Sequence, residues 1–416
     1  MNTFFQNNRN KLGARMDVGD LAILFSGKAP KSTADAHYSF MPNKNFFYFT
    51  GCTSEHFIWT LLKTEKGLET TLFIEKPDYD IEKWIGRKMT KEVAKEISGI
   101  EEIQYIDTFH SSLNKWIQLG RISNLNLDLE RLDWDEKYSV TDEFSSDFKN
   151  RYPQIGIKTL HQIEVDLRMI KDDYEIQQIK HAVELTQVGL DAILAVLKPG
   201  MFEYQLEATF SHAIRMNGAD GNSFPTIAAS GKDAVILHYV ENDKVLNDGD
   251  LVLLDLGAQY NEYAADITRT YPVSGKFSER QKTLYNIVLK AQEAVIEAIK
   301  PGMHFEELNT ICKKTLTEEL ITIGLIADES ELTKYYYHGV SHHLGLDVHD
   351  LGLRNTELKP GMVLTVEPGL YIEDESIGIR IEEDVLVTEN GNEVLSLGIP
   401  KTVEAIETIM KRGTNA

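Results

Sequence analysis

Two long amphipathic segments that end at the same four residue types constrain the fold of this 416-residue chain most strongly. Apolar residues recur at alternating steps of three and four from Ile176 to Leu197, and again from Leu284 to Ile299, a spacing that places them on one face of a helix. The first segment ends at Lys198-Pro199-Gly200-Met201 and the second, 102 residues later, at Lys300-Pro301-Gly302-Met303. Because proline and glycine stop helices, the sequence predicts two helices with matching ends.

A second matched pair follows these helices in the same order. Residues Leu246 to Gly257 resemble residues Leu358 to Gly369: in both, a turn glycine precedes an apolar strand, and an acid lies six residues after that glycine. Proline and glycine often end helices, so a single match could arise without any duplication. Two matches in the same order favour an internal duplication. We therefore expect residues 161–416 to form one domain with two pseudo-symmetric halves.

The first 160 residues show a different pattern, in which short apolar runs alternate with charged segments. Leu21 to Phe25 and Thr71 to Ile74 are apolar runs closed by turn residues, which predicts buried strands, while Ile81 to Ile97 predicts a charged surface helix. The apolar pattern lapses around Asn150-Arg151-Tyr152-Pro153. The sequence thus predicts an α/β domain over residues 1–160, with a boundary near residue 160.

Composition excludes several classes of protein. With 43 Lys and Arg against 65 Asp and Glu, the net charge of −22 disfavours a surface that binds nucleic acid or an anionic membrane. No run of about 18 apolar residues and no secretory signal are present. Two cysteines, Cys52 and Cys312, are too few for a disulfide framework. These features predict a cytoplasmic protein with no nucleic-acid or membrane partner.

Two carboxylates of the first half are expected to face one point. Asp255 ends an apolar run that is typical of a covered strand, where a lone charge would be costly. Asp266 follows eleven residues later, a spacing that suits the two arms of a hairpin with Tyr260 to Tyr263 at its turn. The alternative is that either acid forms an ordinary salt bridge with Arg269.

The second half repeats the arrangement with two further acids. Glu367 occupies the position equivalent to Asp255, and the alternation of Ile379 to Glu382 places Arg380 and Glu382 on one face of a strand. Two alternatives remain open here. Glu382 could simply pair with Arg380, and Glu383 or Asp384 could be a solvated strand end.

A cluster of histidines adds nitrogen donors to these acids. Four of the 12 histidines lie between His338 and His349, whereas the role of His238 is ambiguous from its position alone. Four carboxylates and one imidazole form a hard, oxygen-rich donor set that suits two Mn²⁺, Co²⁺ or Zn²⁺ ions and not a thiolate zinc site. Two such ions activate water for hydrolysis, and the chain carries no G-x-S-x-G, P-loop or G-x-G-x-x-G motif that would indicate other chemistry.

At these residues the sequence resembles the pita-bread metallopeptidases and, among them, the Xaa-Pro aminopeptidases. The motifs that carry the resemblance are Leu237-His238-Tyr239, Asp255-Leu256-Gly257, Asp266-Ile267-Thr268-Arg269-Thr270, His338-Gly339, Ser341-His342, Leu346-Asp347-Val348-His349-Asp350, Glu367-Pro368-Gly369-Leu370-Tyr371 and Arg380-Ile381-Glu382. The segments Ser32 to Tyr38 and Asn45 to Gly51 extend the likeness to the N-terminal region. The resemblance implies an α/β (α+β) fold, in which an α/β creatinase-like N-terminal domain precedes a pita-bread catalytic domain.

The resemblance also implies a role for each residue of the site. The implied metal ligands are Asp255 on one ion, His342 and Glu367 on the other, and Asp266 and Glu382 as bridges between the two. His238, His338 and His349 would position the substrate and stabilise the tetrahedral intermediate, Tyr371 and Arg380 would donate hydrogen bonds nearby, and Asp35 would help to build the site. Glu367 would also carry the proton from the bridging hydroxide to the leaving proline nitrogen.

The expected function is removal of the first residue from peptides whose second residue is proline, with two Mn²⁺ ions or, instead, Co²⁺ or Zn²⁺, by a homo-oligomer such as a dimer or tetramer. Three alternatives stay open. A prolidase would perform the same chemistry on dipeptides only, although Ser341 favours the aminopeptidase because prolidases usually carry glycine there. A pita-bread binding protein would have lost catalysis, and a creatinase-like hydrolase would act on small C–N bonds without metal.

Overall fold

The chain divides into two compact units, Met1–Leu167 and Arg168–Ala416, in a computed structural model that describes residues 2–131, 133–136 and 138–413. The division falls after residue 160 because the segment that follows is still bonded to unit 1. Leu160 donates its backbone N–H to the carbonyl of Leu127 at 2.8 Å, and the Tyr48 hydroxyl donates to the carbonyl of Leu167 at 3.1 Å. The predicted boundary therefore lies just before the helix His161–Arg168, of which all but the last residue belongs to unit 1.

Unit 1 is an α/β domain built on a mixed six-stranded sheet. Its helices are α1 Asn2–Ala14, α2 Lys44–Thr50, α3 Tyr79–Ile85, α4 Lys91–Ser98, α5 Phe109–Gln118, α6 Val140–Arg151 and α7 His161–Arg168. Its strands are β1 Asp20–Phe25, β2 Lys31–Thr33, β3 Ala36–His37, β4 Ile58–Thr64, β5 Gly67–Ile74, β6 Glu102–Tyr105, β7 Asn124–Leu127 and β8 Gly156–Thr159. The sheet order is β6-β5-β4-β1-β7-β8, with β2 and β3 as a separate hairpin.

The charged helix expected from Ile81 to Ile97 is two helices, so this prediction was wrong in extent. Gly86 ends α3 with a φ of 91°, a backbone conformation that glycine adopts without steric cost. Thr90 then begins α4 by accepting a hydrogen bond from the N–H of Val93 at 3.4 Å. Helix periodicity alone did not reveal this break, because both helices place charged residues toward solvent.

Unit 2 contains five helices and four small groups of strands within the described residues. The helices are α8 Asp173–Val196, α9 Glu203–Met216, α10 Glu279–Ala298, α11 Phe305–Thr322 and α12 Val403–Gly413. The strands are β9 Gly221–Asn222, β10 Ile227–Ser230, β11 Leu251–Leu256, β12 Ala258–Tyr260, β13 Tyr263–Ala264, β14 Ile267–Pro272, β15 Val363–Val366, β16 Gly369–Ile372, β17 Ile377–Arg380, β18 Glu383–Thr388 and β19 Gly391–Val394. They form the groups β10-β11-β14, β13-β12-β9, β15-β18-β19 and β16-β17.

The two predicted helix stops form the same contacts in both halves of unit 2. Gly200 donates its N–H to the carbonyl of Leu246 at 2.8 Å, and Gly302 donates to the carbonyl of Leu358 at 2.9 Å. Both glycines have positive φ, 88° and 82° respectively. Each stop thus brings the end of a long helix beside the start of the strand that carries an acid, as an internal duplication predicts.

The hairpin predicted between Asp255 and Asp266 is confirmed. Strand β11 pairs antiparallel with β14, with Asp255 opposite Thr268, and the turn residues Asn261 and Glu262 both have positive φ. Two successive residues of this kind produce the tight turn that suits twisted strands.

Among the described residues, no helix combines the length and the apolar run that a bilayer crossing requires.

Candidate metal centre

The five predicted metal ligands line one cavity of about 400 Å³ in unit 2. Four of them lie at or next to the end of a strand: Asp255 in β11, Asp266 before β14, Glu367 after β15, and Glu382 between β17 and β18. His342 lies in the irregular segment between α11 and β15, and its neighbour His343 forms an isolated β-bridge with Leu364 of β15. The cavity is also lined by His238, His338, His349 and Arg380. Residues that are more than 100 positions apart in the chain therefore meet at one point, as the duplicated halves predict.

Three of the five side chains can contact a single ion. Asp266, His342 and Glu382 each offer one ligand atom, and these atoms all lie within 4.8 Å of one another. The Nε2 atom of His342 is 3.4 Å from Oδ2 of Asp266 and 3.6 Å from Oε1 of Glu367. The oxygen and imidazole donors therefore lie close together. Among the described residues, however, neither carboxylate forms a hydrogen bond with His342, so the pairs lack the geometry of a stable ion pair.

Asp255 joins the cluster through Arg380. The guanidinium Nη2 of Arg380 donates to Oδ2 of Asp255 at 2.6 Å, and both side chains are nearly buried. The second carboxylate oxygen, Oδ1, is buried and has no hydrogen-bond partner among the described residues. A buried carboxylate oxygen without a partner is costly, so this atom is well suited to bind a cation.

The alternative pairing of Asp255 or Asp266 with Arg269 was wrong. Arg269 is buried and donates instead to Glu383, with 2.9 Å between Nη2 and Oε1. Glu383 and Asp384 are 1% and 0% exposed, so neither is a solvated strand end. The reason is that Glu383 accepts hydrogen bonds from Arg269 and from the Ser396 hydroxyl, while Asp384 accepts the backbone N–H of Asp266 at 3.2 Å, so both carboxylates lie inside the packed fold.

The buried carboxyl groups of the cluster favour the binding of a positively charged ion. Burial raises the pKa of Asp266 well above its ordinary value, and the nearby charge of Asp255 raises it further. Burial also raises the pKa of Glu382, with a further contribution from Asp266, and it raises the pKa of Glu367 to about 7. Several buried carboxylates repel one another unless a cation lies between them, so the donor set fits divalent metal ions.

These shifts predict how pH affects the stability of the metal-free protein. Between about pH 4.5, where Glu367 ionises in the unfolded chain, and about pH 7, the folded protein holds a proton that the unfolded chain has lost. Three buried histidines with lowered pKa values, His338, His343 and His349, act in the opposite direction below about pH 6.5. They are outnumbered by five buried carboxyl groups with raised pKa values, Glu367, Asp266, Glu382, Asp384 and Glu175. Stability without metal should therefore fall on balance as pH rises through this window. Thermal unfolding in EDTA should give a higher melting temperature at pH 5 than at pH 7.5.

Added Mn²⁺ should reverse this trend, because metal ions bind the deprotonated carboxylates and stabilise the fold more at pH 7.5 than at pH 5. The same pair of scans on the Asp266→Asn variant, with and without Mn²⁺, is the control. An Mn²⁺ effect of equal size at both pH values would contradict the assignment of these carboxylates as ligands.

His338 is held in one tautomer by its neighbours. Its Nδ1 lies 2.7 Å from the carbonyl of Gly339, so Nδ1 carries the proton and Nε2, 2.8 Å from the Tyr371 hydroxyl, accepts. Arg380 in turn donates to that hydroxyl at 3.0 Å. Burial, followed by the charge of Arg380, lowers the pKa of His338 to about 4. The imidazole is therefore neutral near pH 7 and fixed 3.8 Å from Glu367.

The other predicted histidines lie on the cavity wall. The rings of His349 and His342 are 4.3 Å apart, and burial, followed by the charge of His342, lowers the pKa of His349 to about 4. His238 is exposed at the cavity. Tyr371 does not line the cavity: it is 2% exposed and acts on it through its bonds to His338 and Arg380.

Asp35 is not among the residues that line this cavity. It is an exposed residue in the turn between β2 and β3 of unit 1, whereas every residue that lines the cavity belongs to unit 2. Its role in substrate binding stays a prediction.

Thr268 is a residue of the site that sequence reasoning missed. Its hydroxyl donates to Oε2 of Glu382 at 2.7 Å and accepts from Nε of Arg380 at 3.1 Å. It thereby orients one proposed ligand and the arginine that contacts another. A signal was present, because Thr268 lies two positions after Asp266, and side chains two apart on an extended strand lie on the same face.

Two family models match the chain. Metallopeptidase family M24 matches residues 177–389, and the aminopeptidase P N-terminal domain matches residues 5–123. The Xaa-Pro aminopeptidase of Haemophilus influenzae is 33% identical over 425 residues, which cover 98% of this chain and 96% of the relative. Both domains and nearly the full length therefore have relatives of known type.

Solved structures agree with this match. A candidate aminopeptidase P from Bacillus anthracis is 46% identical, with a TM-score of 0.97 over 99% of each chain. Aminopeptidase P from E. coli with the inhibitor Pro-Leu is 32% identical, with a TM-score of 0.92 over 100% of this chain and 99% of the other. These structures confirm the predicted fold class. The chain therefore belongs to metallopeptidase family M24, with an aminopeptidase P N-terminal domain ahead of its catalytic domain.

Proposed function

We propose that this chain is a metal-dependent aminopeptidase that hydrolyses the bond between the first residue of a peptide and a proline at the second position. The observation that carries the proposal is the convergence of four carboxylates and one imidazole on a single cavity of unit 2. The Xaa-Pro aminopeptidase relatives support the substrate class, as does the Pro-Leu inhibitor of the E. coli protein.

Asp255, Asp266, His342, Glu367 and Glu382 are the proposed ligands of two divalent ions. Bound ions of this kind activate water near neutral pH and polarise the carbonyl that is attacked. We favour Mn²⁺, because oxygen donors outnumber the single nitrogen and no thiolate lines the cavity among the described residues. Co²⁺ and Zn²⁺ are the alternatives that a metal analysis would separate.

Glu367 is the proposed proton carrier. Its carboxylate lines the same cavity as the other proposed ligands, within reach of a water molecule held there. It lies beside His342 and His338. In this role it takes the proton of the attacking water and delivers it to the leaving proline nitrogen.

The side chains around Glu367 are proposed to position the substrate. The bonds from Arg380 through Tyr371 to His338 fix the imidazole of His338, so that binding a peptide costs little further ordering. His238 and His349 lie on the cavity wall, where they can donate hydrogen bonds to the substrate and to the oxygen that becomes negative during attack. Asp35 is the proposed contribution of unit 1.

A peptide series tests this function. With Mn²⁺, the purified protein should release alanine from Ala-Pro-Ala and cleave Ala-Ala-Ala at least about tenfold more slowly, as the Xaa-Pro aminopeptidase relatives lead us to expect. EDTA should abolish both activities. Liquid chromatography of the released alanine provides the measurement.

Adding the dipeptide Ala-Pro and small C–N substrates to this series separates the alternatives. Activity confined to the dipeptide Ala-Pro would identify a prolidase, and no metal-dependent cleavage of any Xaa-Pro peptide would favour a binding protein. Cleavage of small C–N substrates that survives EDTA would indicate a creatinase-like hydrolase.

We further propose that the protein acts in the cytoplasm as a homo-oligomer, a dimer or a tetramer. Cys52 and Cys312 are buried free thiols, which suits a reducing compartment. Light scattering of the eluted protein would measure its oligomeric state.

A further inference from the structure

His238 lies in an irregular segment of unit 2. It lines the cavity of the candidate metal centre next to Leu237, and residues 237–244 lie outside the described helices and strands. The side chain of His238 is exposed, so packing around the ring does not fix it. The position of the imidazole in the cavity therefore depends on what holds the residues on either side of it.

Tyr239 anchors one side of His238. Tyr239 is 4% exposed and belongs to a small apolar cluster with Leu253, against which Leu237 also packs. The Tyr239 hydroxyl donates to Oε2 of Glu203 at 2.9 Å. A tyrosine that is packed along its ring and hydrogen-bonded at its hydroxyl is fixed at both ends, so the backbone beside His238 has little freedom.

The carboxylate of Glu203 ties together the two ends of this part of the chain. Glu203 is 0% exposed and lies in the first turn of α9. Its Oε1 accepts the backbone N–H and the hydroxyl of Ser230, at 2.8 and 2.6 Å. Its Oε2 accepts the backbone N–H of Lys244 at 3.0 Å, in addition to the Tyr239 hydroxyl. Because a buried carboxylate is costly unless it is hydrogen-bonded, these four donors hold Glu203 and the chain around it in one arrangement.

The same carboxylate connects His238 to the strand that carries a proposed metal ligand. Ser230 is the last residue of β10, and β10 pairs antiparallel with β11, where Ile227 lies opposite Asp255. Glu203 therefore bonds both to the strand pair that places Asp255 and to the residue that follows His238. Through these bonds, buried parts of unit 2 set the position of the imidazole relative to the proposed metal site.

Asn242 provides a second tie between the same segment and β10. It is 1% exposed, accepts the backbone N–H of Ala228 at 2.9 Å and donates to the carbonyl of Thr226 at 2.8 Å. Loss of the Tyr239 hydroxyl should therefore displace His238 without releasing the whole segment.

We propose that Tyr239 and Glu203 are positioning residues for the reaction, which hold the imidazole of His238 where it meets the substrate. The inference rests on the proposed function, since that function gives His238 a peptide to contact. Neither Tyr239 nor Glu203 is among the described residues that line the cavity, so both act through His238.

Tyr239→Phe removes the hydroxyl and keeps the ring in its apolar cluster. With Mn²⁺ and Ala-Pro-Ala, this variant should lower kcat by about tenfold, because a displacement of about 1 Å can cost a reaction about a hundredfold and Asn242 limits the shift. KM should change by less than about twofold, since the interaction lost is one made in the transition state. Glu203→Gln should lower kcat in the same direction, which keeps the test valid if one variant folds poorly.

A double variant shows whether Tyr239 acts through His238. His238→Ala alone should lower kcat by about a hundredfold, the loss typical of a donor to the developing negative charge. Adding Tyr239→Phe to His238→Ala should change kcat by less than about twofold, because mutations that act through one group are not additive. A further tenfold loss in the double variant would overturn the proposal, as would wild-type kcat in both Tyr239→Phe and Glu203→Gln.

Two controls match the single variants. Tyr285 is also 0% exposed and donates its hydroxyl to the carbonyl of Lys401 at 2.9 Å, away from the cavity lining. Asp243 is an exposed acceptor 3.3 Å from the Tyr239 hydroxyl. Tyr285→Phe and Asp243→Asn should both keep the wild-type kcat. Equal losses in Tyr285→Phe and Tyr239→Phe would contradict a specific role for the Tyr239 hydroxyl.

Nuclear magnetic resonance of the metal-free protein gives a readout that does not depend on activity. In protein with isotope-labelled histidine, the ring signal that His238→Ala removes belongs to His238. Tyr239→Phe should shift or broaden this signal, and Tyr285→Phe should leave it in place. An unmoved His238 signal in Tyr239→Phe would overturn the positioning role, whereas failure of the wild type to cleave any Xaa-Pro peptide would overturn the proposed function instead.

Discussion

Asp266→Asn should weaken the binding of divalent metal by more than about a hundredfold and abolish metal-dependent activity. Loss of an outer partner of a metal ligand costs about tenfold to a hundredfold in affinity, and Asp266 is a proposed ligand whose oxygen lies 3.4 Å from Nε2 of His342. Isothermal titration with Mn²⁺ would measure the affinity, and cleavage of Ala-Pro-Ala would measure activity.

The metal-free Asp266→Asn protein should nevertheless be at least as stable as the wild type. The carboxyl group of Asp266 has a raised pKa because it is buried beside Asp255, so an amide of the same shape removes a repulsion without opening a cavity. Asp248→Asn, in an exposed turn before β11, is the control and should change neither metal binding nor activity. Unfolding of the metal-free Asp266→Asn protein would show that Asp266 is mainly a structural residue.

Glu383→Ala should lower the free energy of unfolding by about 3 to 5 kcal/mol, the cost of breaking a buried ion pair from one side. The side chains of Arg269 and Glu383 are 0% and 1% exposed, so the variant leaves a guanidinium buried without its carboxylate. Arg269 also donates to the carbonyls of Thr268 and Glu382, and activity should fall as these residues shift. Urea unfolding followed by circular dichroism would measure the change in midpoint.

Glu375→Ala is the matched control for this pair. Glu375 accepts two hydrogen bonds from Arg280, at 2.8 and 2.6 Å, but both side chains are about one-third exposed. Exposed pairs contribute about 0 to 1 kcal/mol, so the control should change stability little. Equal losses in the two variants would contradict the assignment of the Arg269–Glu383 pair as a buried structural link.

Several parts of the site were predictable because they depend on local pattern. The lysine-proline-glycine-methionine stops and the turn at Asn261 and Glu262 follow from the backbone preferences of proline, glycine and asparagine. The equivalence of Asp255 and Glu367 follows from the duplicated strand. Convergence of the acids on one cavity was then a consequence of the two halves having the same architecture.

Other features depend on which neighbours surround a residue, and short-range pattern carries little of that information. Alternation along the strand places Glu383 on the face away from Glu382, but it did not show that Arg269 and Ser396 enclose the Glu383 carboxylate on that face. The sequence offered Arg269 as a partner for Asp255, whereas the fold brings Arg380 to that position from 125 residues away.

Taken by itself, the sequence determined the two-part α/β organisation, the repeated unit and the identity of the acids and histidines, since these follow from periodicity, turn chemistry and residue type. Only the tertiary structure decided which charges pair, which carboxylates are buried, and which polar atoms are left without a partner beside the site. The physical reason is that burial and ion pairing depend on contacts between residues distant in the chain, and a desolvated charge takes whichever partner the packed fold brings within a few ångströms.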